Sequence, residues 1–204
     1  MSPTDPPPGL RADDEALHTL LARARAQAGR DPAGALALLD SSGRDDALLH
    51  HARGTLLVRL GRFDDAVAAL ERAVSLQPEV VDFAANLGAA LLQLARSRSG
   101  DAQRNIVLRA RDLLADAVQQ QPVFPDAGAA LILVHQLLGD TDAALAAADA
   151  NLRRFPEDIP TWFNRASALK AAGRIDDAAA VLQRLVQRHP EFTPAHDALL
   201  RLRN

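Results

Sequence analysis

The sequence predicts an all-α protein made of helix pairs stacked side by side, and two observations carry that reading. Hydrophobic residues make up 48% of the 204-residue chain but aromatics only 3%. Ala and Leu supply most of the apolar content, and these are strong helix formers, whereas the β-branched and aromatic types favoured in strands are sparse. The second observation is an internal period. Pro78, Pro122, Pro156 and Pro190 are separated by 44, 34 and 34 residues. Ala66, Ala110, Ala144 and Ala178 repeat the same spacings, as do Leu70, Leu114, Ala148 and Leu182. Gly61, Gly139 and Gly173 fall in the same register, with Ala95 near the place of a fourth glycine. Agreement among independent residue types on one spacing is the mark of a repeat array.

Each unit reads as two helices. Residues 45–60 carry apolar positions at helical spacing and stop at Gly61, which tolerates the left-handed conformation that closes many helices. The phrase Gly-Arg-Phe-Asp-Asp-Ala then opens a second helix, with Asp64 and Asp65 where the helix dipole favours negative charge and capping. It recurs at Gly139 and at Gly173, and the proline after each second helix closes the unit.

The units resemble the tetratricopeptide repeat, a 34-residue helix–turn–helix. The first full unit carries His50, Gly54, Leu57, Gly61, Ala66, Leu70, Ala73 and Pro78; the last carries Trp162, Leu169, Gly173, Ala178, Leu182 and Pro190. Gly88 matches Gly54, while Ile132 and Ala166 take its place in the later units. The resemblance implies a right-handed α-solenoid: a disordered tail over 1–12, a degenerate unit over 13–46, units at 47–80, 81–124, 125–158 and 159–192, and a capping helix over 193–204. The unit at 81–124 holds ten extra residues, expected to lengthen both of its helices by a turn or more, with Asp101 as the cap of the second.

The same resemblance implies a concave groove lined by the first helix of each pair. Its register places there His51, Thr55 and Arg59, then Asn86, Ala89 and Gln93, then Leu133 and Gln136, and last Phe163, Asn164, Ser167 and Lys170. Asn86 and Asn164 are the sharpest candidates, because an amide both donates and accepts and can pair a guest backbone without reading its side chains. The basic clamp by which some relatives hold a peptide's terminal carboxylate maps onto His51, Thr55, Asn86, Asp126 and Ala130, of which only Asn86 agrees.

Other chemistries find little footing. The net charge of −3 argues against a general nucleic-acid binder. The basic stretch Arg96, Arg98, Arg104, Arg109 and Arg111, with Asp101 the only acid, has a local charge of +4 and leaves −7 for the rest. It offers no aromatic to stack bases, and is read as a solvated turn whose arginine stems cover apolar neighbours. The chain has no cysteine, which removes disulfides and thiolate sites. No His-Glu-x-x-His pattern, phosphate loop or Gly-x-Ser-x-Gly elbow occurs, and no metal or cofactor is expected. His50 and His51, as helix neighbours, point about 100° apart. His135 takes a place the family gives to a large packing residue, and is expected to be a satisfied core side chain. Neither an apolar run of membrane length nor a secretory leader is apparent, so the chain is expected to be cytoplasmic.

The resulting expectation is a bacterial, non-enzymatic adaptor or scaffold that holds a protein or peptide partner, serving beside a separate enzyme. Nucleic-acid and membrane partners are not expected. Self-association through the groove or the insertion is the alternative, and an enzyme with an unrecognised site the remote one. The register also makes Ala144 a close-contact position. Ala144→Leu is expected to overpack it and to cost roughly 1–3 kcal/mol, read as a lower midpoint in thermal or urea unfolding.

Overall fold

The computed structural model describes residues 8–120 and 125–203. The described residues form eleven α-helices and no strand: α1 (Pro8–Ala28), α2 (Pro32–Asp40), α3 (Ala47–Arg59), α4 (Phe63–Leu76), α5 (Val81–Ala95), α6 (Gly100–Gln120), α7 (Pro125–Leu138), α8 (Thr141–Arg154), α9 (Ile159–Ala171), α10 (Ile175–Arg188) and α11 (Thr193–Arg203). They group into two compact units divided between Phe83 and Ala84, within α5.

Helix ends follow from local chemistry. Asp31, Asp46, Asp140 and Asp158 each precede a helix and accept from its first-turn N–H groups: Gly34 at 2.8 Å, Leu48 at 2.9 Å, Ala143 at 3.2 Å and Thr161 at 2.9 Å. Such caps satisfy donors that the helix itself leaves unpaired. α4 and α10 solve the problem differently. Arg62 and Arg174 hold the cap positions without a side-chain cap bond. Asp65 and Asp177, in the first turns, pair back to those arginines at 2.8 and 2.7 Å. The Asp-Asp phrase therefore serves the helix dipole and an ion pair and not the cap itself.

The first helices of three pairs close in the same way. Gly61, Gly139 and Gly173 have φ of 72°, 76° and 74°. The residue after each returns its N–H to a carbonyl in the last turn, from Arg62 to Leu57 O, Asp140 to His135 O and Arg174 to Leu169 O, at 2.9 Å in each case. That is the Schellman closure, and it needs a residue able to adopt positive φ.

Packing inside a pair rests on one close approach. A Cβ on Gly54 would lie 2.5 Å from Leu70 Cγ, and one on Gly88 would lie 2.7 Å from Leu114 Cγ. Leu70 and Leu114 are fully buried, so neither can move aside cheaply. In the later units the sizes change. Ile132 stands at the glycine's register, and Ala148 replaces the leucine; both are fully buried in one cluster with Ala144 and Ala168. Ala166 and Leu182 share the next cluster. The pairs thus read small–large, small–large, large–small and small–large, which preserves volume across the seam.

In the first unit, α1, α2 and α3 bury Leu17, Ala24, Leu36, Leu39, Leu49 and Leu57 in one core, and Phe83 packs with Ala47 and Ala73 in a second cluster. In the second unit, α6 to α11 pack in sequence and α7 also meets α9. A buried polar link joins α8 to α9: Asn151 Nδ2 donates to Thr161 Oγ1 at 2.7 Å.

Two expectations need correction. The ten extra residues do not lengthen both helices. α6 runs to 21 residues where α4, α8 and α10 have 14, but α5 has only 15. The helix begins at Gly100, with φ of 61°, so Asp101 lies in the first turn and is not its cap. The N–H groups of Arg96, Ser97 and Arg98 donate to the carbonyls of Gln93, Leu94 and Ala95 and close the end of α5, and Gln103 Nε2 adds a second donor to the Ala95 carbonyl at 3.1 Å. The tail expected over 1–12 also changes, since α1 already starts at Pro8, where proline is tolerated because the first helical N–H has no acceptor anyway. The remainder of that expectation, residues 1–7, lies outside the described residues.

The seam predicts a compensating pair. Ala148→Leu alone is expected to cost about 1–3 kcal/mol by overpacking, and Ile132→Ala alone about 2–5 kcal/mol by leaving a cavity. The double variant is expected to lose clearly less than the sum, measured by urea unfolding as a double-mutant cycle.

Candidate binding faces of the first helices

The predicted groove residues lie on α3, α5, α7 and α9. In the first unit, α3 presents His51, Thr55 and Arg59 one and two turns apart. Thr55 Oγ1 donates to the Ala52 carbonyl at 2.8 Å, and Arg59 is exposed. His51 is half-buried, its ring 4.9 Å from that of Phe83, and its Nε2 is buried without a hydrogen-bond partner. Burial holds its pKa below the ordinary value, with Asp82 acting in the opposite direction.

These side chains line an open groove of about 460 Å³. The sequence register missed half of it. Its opposite wall is α1, with Leu21 and Arg25, and its floor includes Leu39, Leu48 and Leu56. α1 belongs to the degenerate unit, which carries no closing proline and so lends no register to its side chains. The Leu21–Arg25 spacing of one helical turn was the signal available.

In the second unit, α5 places Asn86, Ala89 and Gln93 half-buried on one side. Gln93 Oε1 accepts from Arg96 Nη1 at 3.4 Å. α7 contributes Leu133 and Gln136, both half-buried. α9 contributes Phe163, half-buried and edge-on to Phe192 at 5.6 Å, and the exposed Ser167 and Lys170. Asn164 is only 8% exposed. Its Nδ2 donates to the Ala129 carbonyl at 3.3 Å, while Gln136 Nε2 donates to the Asn164 carbonyl at 3.0 Å. These two amides therefore stitch α7 to α9, and the donor foreseen for a guest backbone at Asn164 is engaged within the fold. A smaller opening of about 200 Å³ lies between α9 and α11, where Phe163, Ser167 and Lys170 meet Ala198, Arg201 and Leu202.

Arg96, Arg98 and Arg104 are exposed around the turn before α6 and at its start. Arg98 Nη1 donates to Ser97 Oγ at 3.1 Å. His135 departs from the satisfied core side chain expected of it. It is 17% exposed, its Nδ1 is buried without a hydrogen-bond partner, and the nearest carboxylate oxygen, on Asp140, is 4.0 Å away. Burial is the main cause of its lowered pKa, with Arg111 adding to the effect and Asp140 opposing it. Asp126, at one place of the carboxylate clamp, is exposed. Among the described residues no cluster of three or more His, Asp or Glu side chains is placed to hold a metal ion. No helix among them is long and apolar enough to cross a membrane.

Two tetratricopeptide repeat family models match the chain, one over residues 51–106 and the other over residues 136–202. No curated protein matches it by sequence. Among solved structures, the fold is similar to TTC0263, a thermophilic TPR protein of Thermus thermophilus, with TM-score 0.74, 20% identity, and coverage of 91% of this chain and 97% of that one. It is similar to MamA from Desulfovibrio magneticus RS-1, with TM-score 0.68, 18% identity, and coverage of 85% and 97%. It is also similar to YrrB, described as a TPR protein with an unusual peptide-binding site, with TM-score 0.66, 18% identity, and coverage of 88% and 89%.

The two lowered histidines set a pH dependence. Their folded pKa values lie below the ordinary 6.5, so the unfolded chain binds protons that the folded chain resists. Their contribution to stability is complete above that value and is lost as pH falls below it. His51→Phe combined with His135→Leu is expected to flatten the fall in Tm between about pH 7 and pH 5, checked by thermal melts across that range.

Proposed function

Because the chain belongs to the tetratricopeptide-repeat family, a family of protein-interaction scaffolds, we propose that it is a non-enzymatic adaptor that holds a segment of a partner protein against the exposed faces of its first helices. The observation that carries this reading is the division of labour on α7 and α9. Gln136 and Asn164 lock the two helices together. Ser167 and Lys170 stay exposed beside the half-buried Phe163 and Leu133. A stiff platform with an apolar centre and polar rim loses little entropy on binding, which is the general condition for recognition without large rearrangement. Asn86, on α5, is proposed to lie along the same partner-facing side as Ala89 and Gln93. The partner is proposed to be an enzyme that the adaptor recruits or positions, and the bacterial cytoplasm is the proposed setting.

The test uses exposed residues, so that folding is not at issue. Ser167→Arg/Lys170→Glu on α9 is expected to release a partner captured by the tagged full chain. Ala180→Arg, on an exposed position of α10, is expected to retain it. Equal capture by both variants, each with the parent's Tm, would remove the first-helix assignment.

A further inference from the structure

Two openings of the first unit differ in their charge balance. One, of about 330 Å³, is lined on the α2, α3 and α4 side by Arg53, Arg62 and Arg72. Each of these has its own carboxylate: Arg53 Nε lies 2.7 Å from Asp40, Arg62 Nη2 lies 2.6 Å from Asp65, and Arg72 pairs with Asp45. That surface is neutralised from within. The groove between α1 and α3 is not. It is lined by Arg25 and Arg59 and by no acidic residue, and neither arginine has a carboxylate partner among the described residues. With no Asp or Glu in the lining, the charge of these two arginines is not balanced within the groove.

The rest of the groove is apolar or neutral. Leu21, Leu48 and Leu56 form much of its surface. Leu48 is 39% exposed, one of only four large hydrophobic side chains so open among the described residues. Thr55 adds a hydroxyl whose proton is already donated to Ala52, leaving it an acceptor. His51, held neutral by burial, adds no competing charge at ordinary pH. Arg25 lies about one turn after Leu21 on α1, and Arg59 about one turn after Leu56 on α3. Aliphatic contact and cationic charge are therefore offered together, in an opening of the size usual for concave binding sites.

We propose that the groove between α1 and α3 docks a partner segment that presents an aliphatic side chain beside carboxylates. The inference rests on the adaptor reading and names the chemistry of one guest. Aliphatic groups of the segment lie against the lining residues Leu21, Leu48 and Leu56, and its carboxylates meet Arg25 and Arg59. Charge complementarity is what selects this guest over a neutral or basic one.

A random peptide-display selection on the full chain, followed by titration of the selected peptides, tests it. The expected result is enrichment of Asp and Glu next to Leu, Ile or Val. Affinity for those peptides is expected to weaken with added salt and to fall by about tenfold in Arg25→Glu/Arg59→Glu, whose substitutions lie on exposed helix positions. The reversed variant is also expected to enrich basic peptides, which a purely structural role for these arginines would not produce. Enrichment of non-acidic peptides, or of peptides sensitive only to Ser167→Arg/Lys170→Glu, would overturn this inference and leave the adaptor reading standing. Failure to enrich any peptide would overturn both. A dimer in sedimentation that Arg25→Glu/Arg59→Glu abolishes would make the occupant a second copy and overturn the inference. So would a roughly tenfold affinity gain on removing residues 1–7, which would make the occupant the chain's own segment.

Discussion

The close approach of the two helices in each pair is the constraint on which the remaining structure depends. A first helix can lie against its second only where one residue of the seam is small. Gly54 faces Leu70 and Gly88 faces Leu114, with no room for a further carbon between them. The third pair keeps the seam filled by exchanging sizes, with Ile132 against Ala148. A fully buried leucine or isoleucine on one side contributes roughly 1.5–3 kcal/mol by leaving water, but only if its partner leaves the space. The seam is therefore a joint property of two positions, and neither residue type alone identifies it.

That seam explains why the turns can be short and repetitive. Once two helices are held at a fixed distance, the chain must reverse within a few residues. Gly61, Gly139 and Gly173 provide the positive φ for the reversal, and the backbone bonds that follow satisfy carbonyls left over at the helix end. Where the turn departs from this form, before α6, backbone bonds from Arg96, Ser97 and Arg98 close α5 and the Gln103 side chain reaches back to add one more at Ala95. The insertion then extends the free end of α6 and leaves its packed end alone. Leu114 and Ala117 stay buried as Leu70 and Ala73 do in α4.

In the proposed reading, partner chemistry lies on the exposed parts of the first helices. α9 and α7 use their amides on each other and become a platform. α1 and α3 instead leave two arginines without acids and a leucine open to solvent. Their contrast with the neutralised arginines of α3 and α4 is a statement about charge, and charge complementarity acts chiefly on which partner is chosen and how fast it arrives.

The repeat spacing and the glycine turns were legible in the sequence, because each is a local requirement met by residues a few positions apart; the caps were not, since Asp64, Asp65 and Asp101 fall in first turns and the capping side chains are Asp31, Asp46, Asp140 and Asp158. Helix identity in every pair and the family followed from the spacing and the turns. The exchange at Ile132 and Ala148 was visible as two substitutions but not as one compensated contact, since the residues are 16 positions apart in sequence and meet only across the seam. The same reason hid the role of Asn164. Its position suggested a guest-binding amide, yet the carbonyl it pairs with is on Ala129, 35 residues earlier. The groove wall on α1, the open environment of Arg25 and Arg59, and the way α5 and α6 share ten extra residues were likewise decided by packing. A sequence states which groups are present and how the local chain turns; which polar and charged groups find partners depends on distances that only tertiary structure sets.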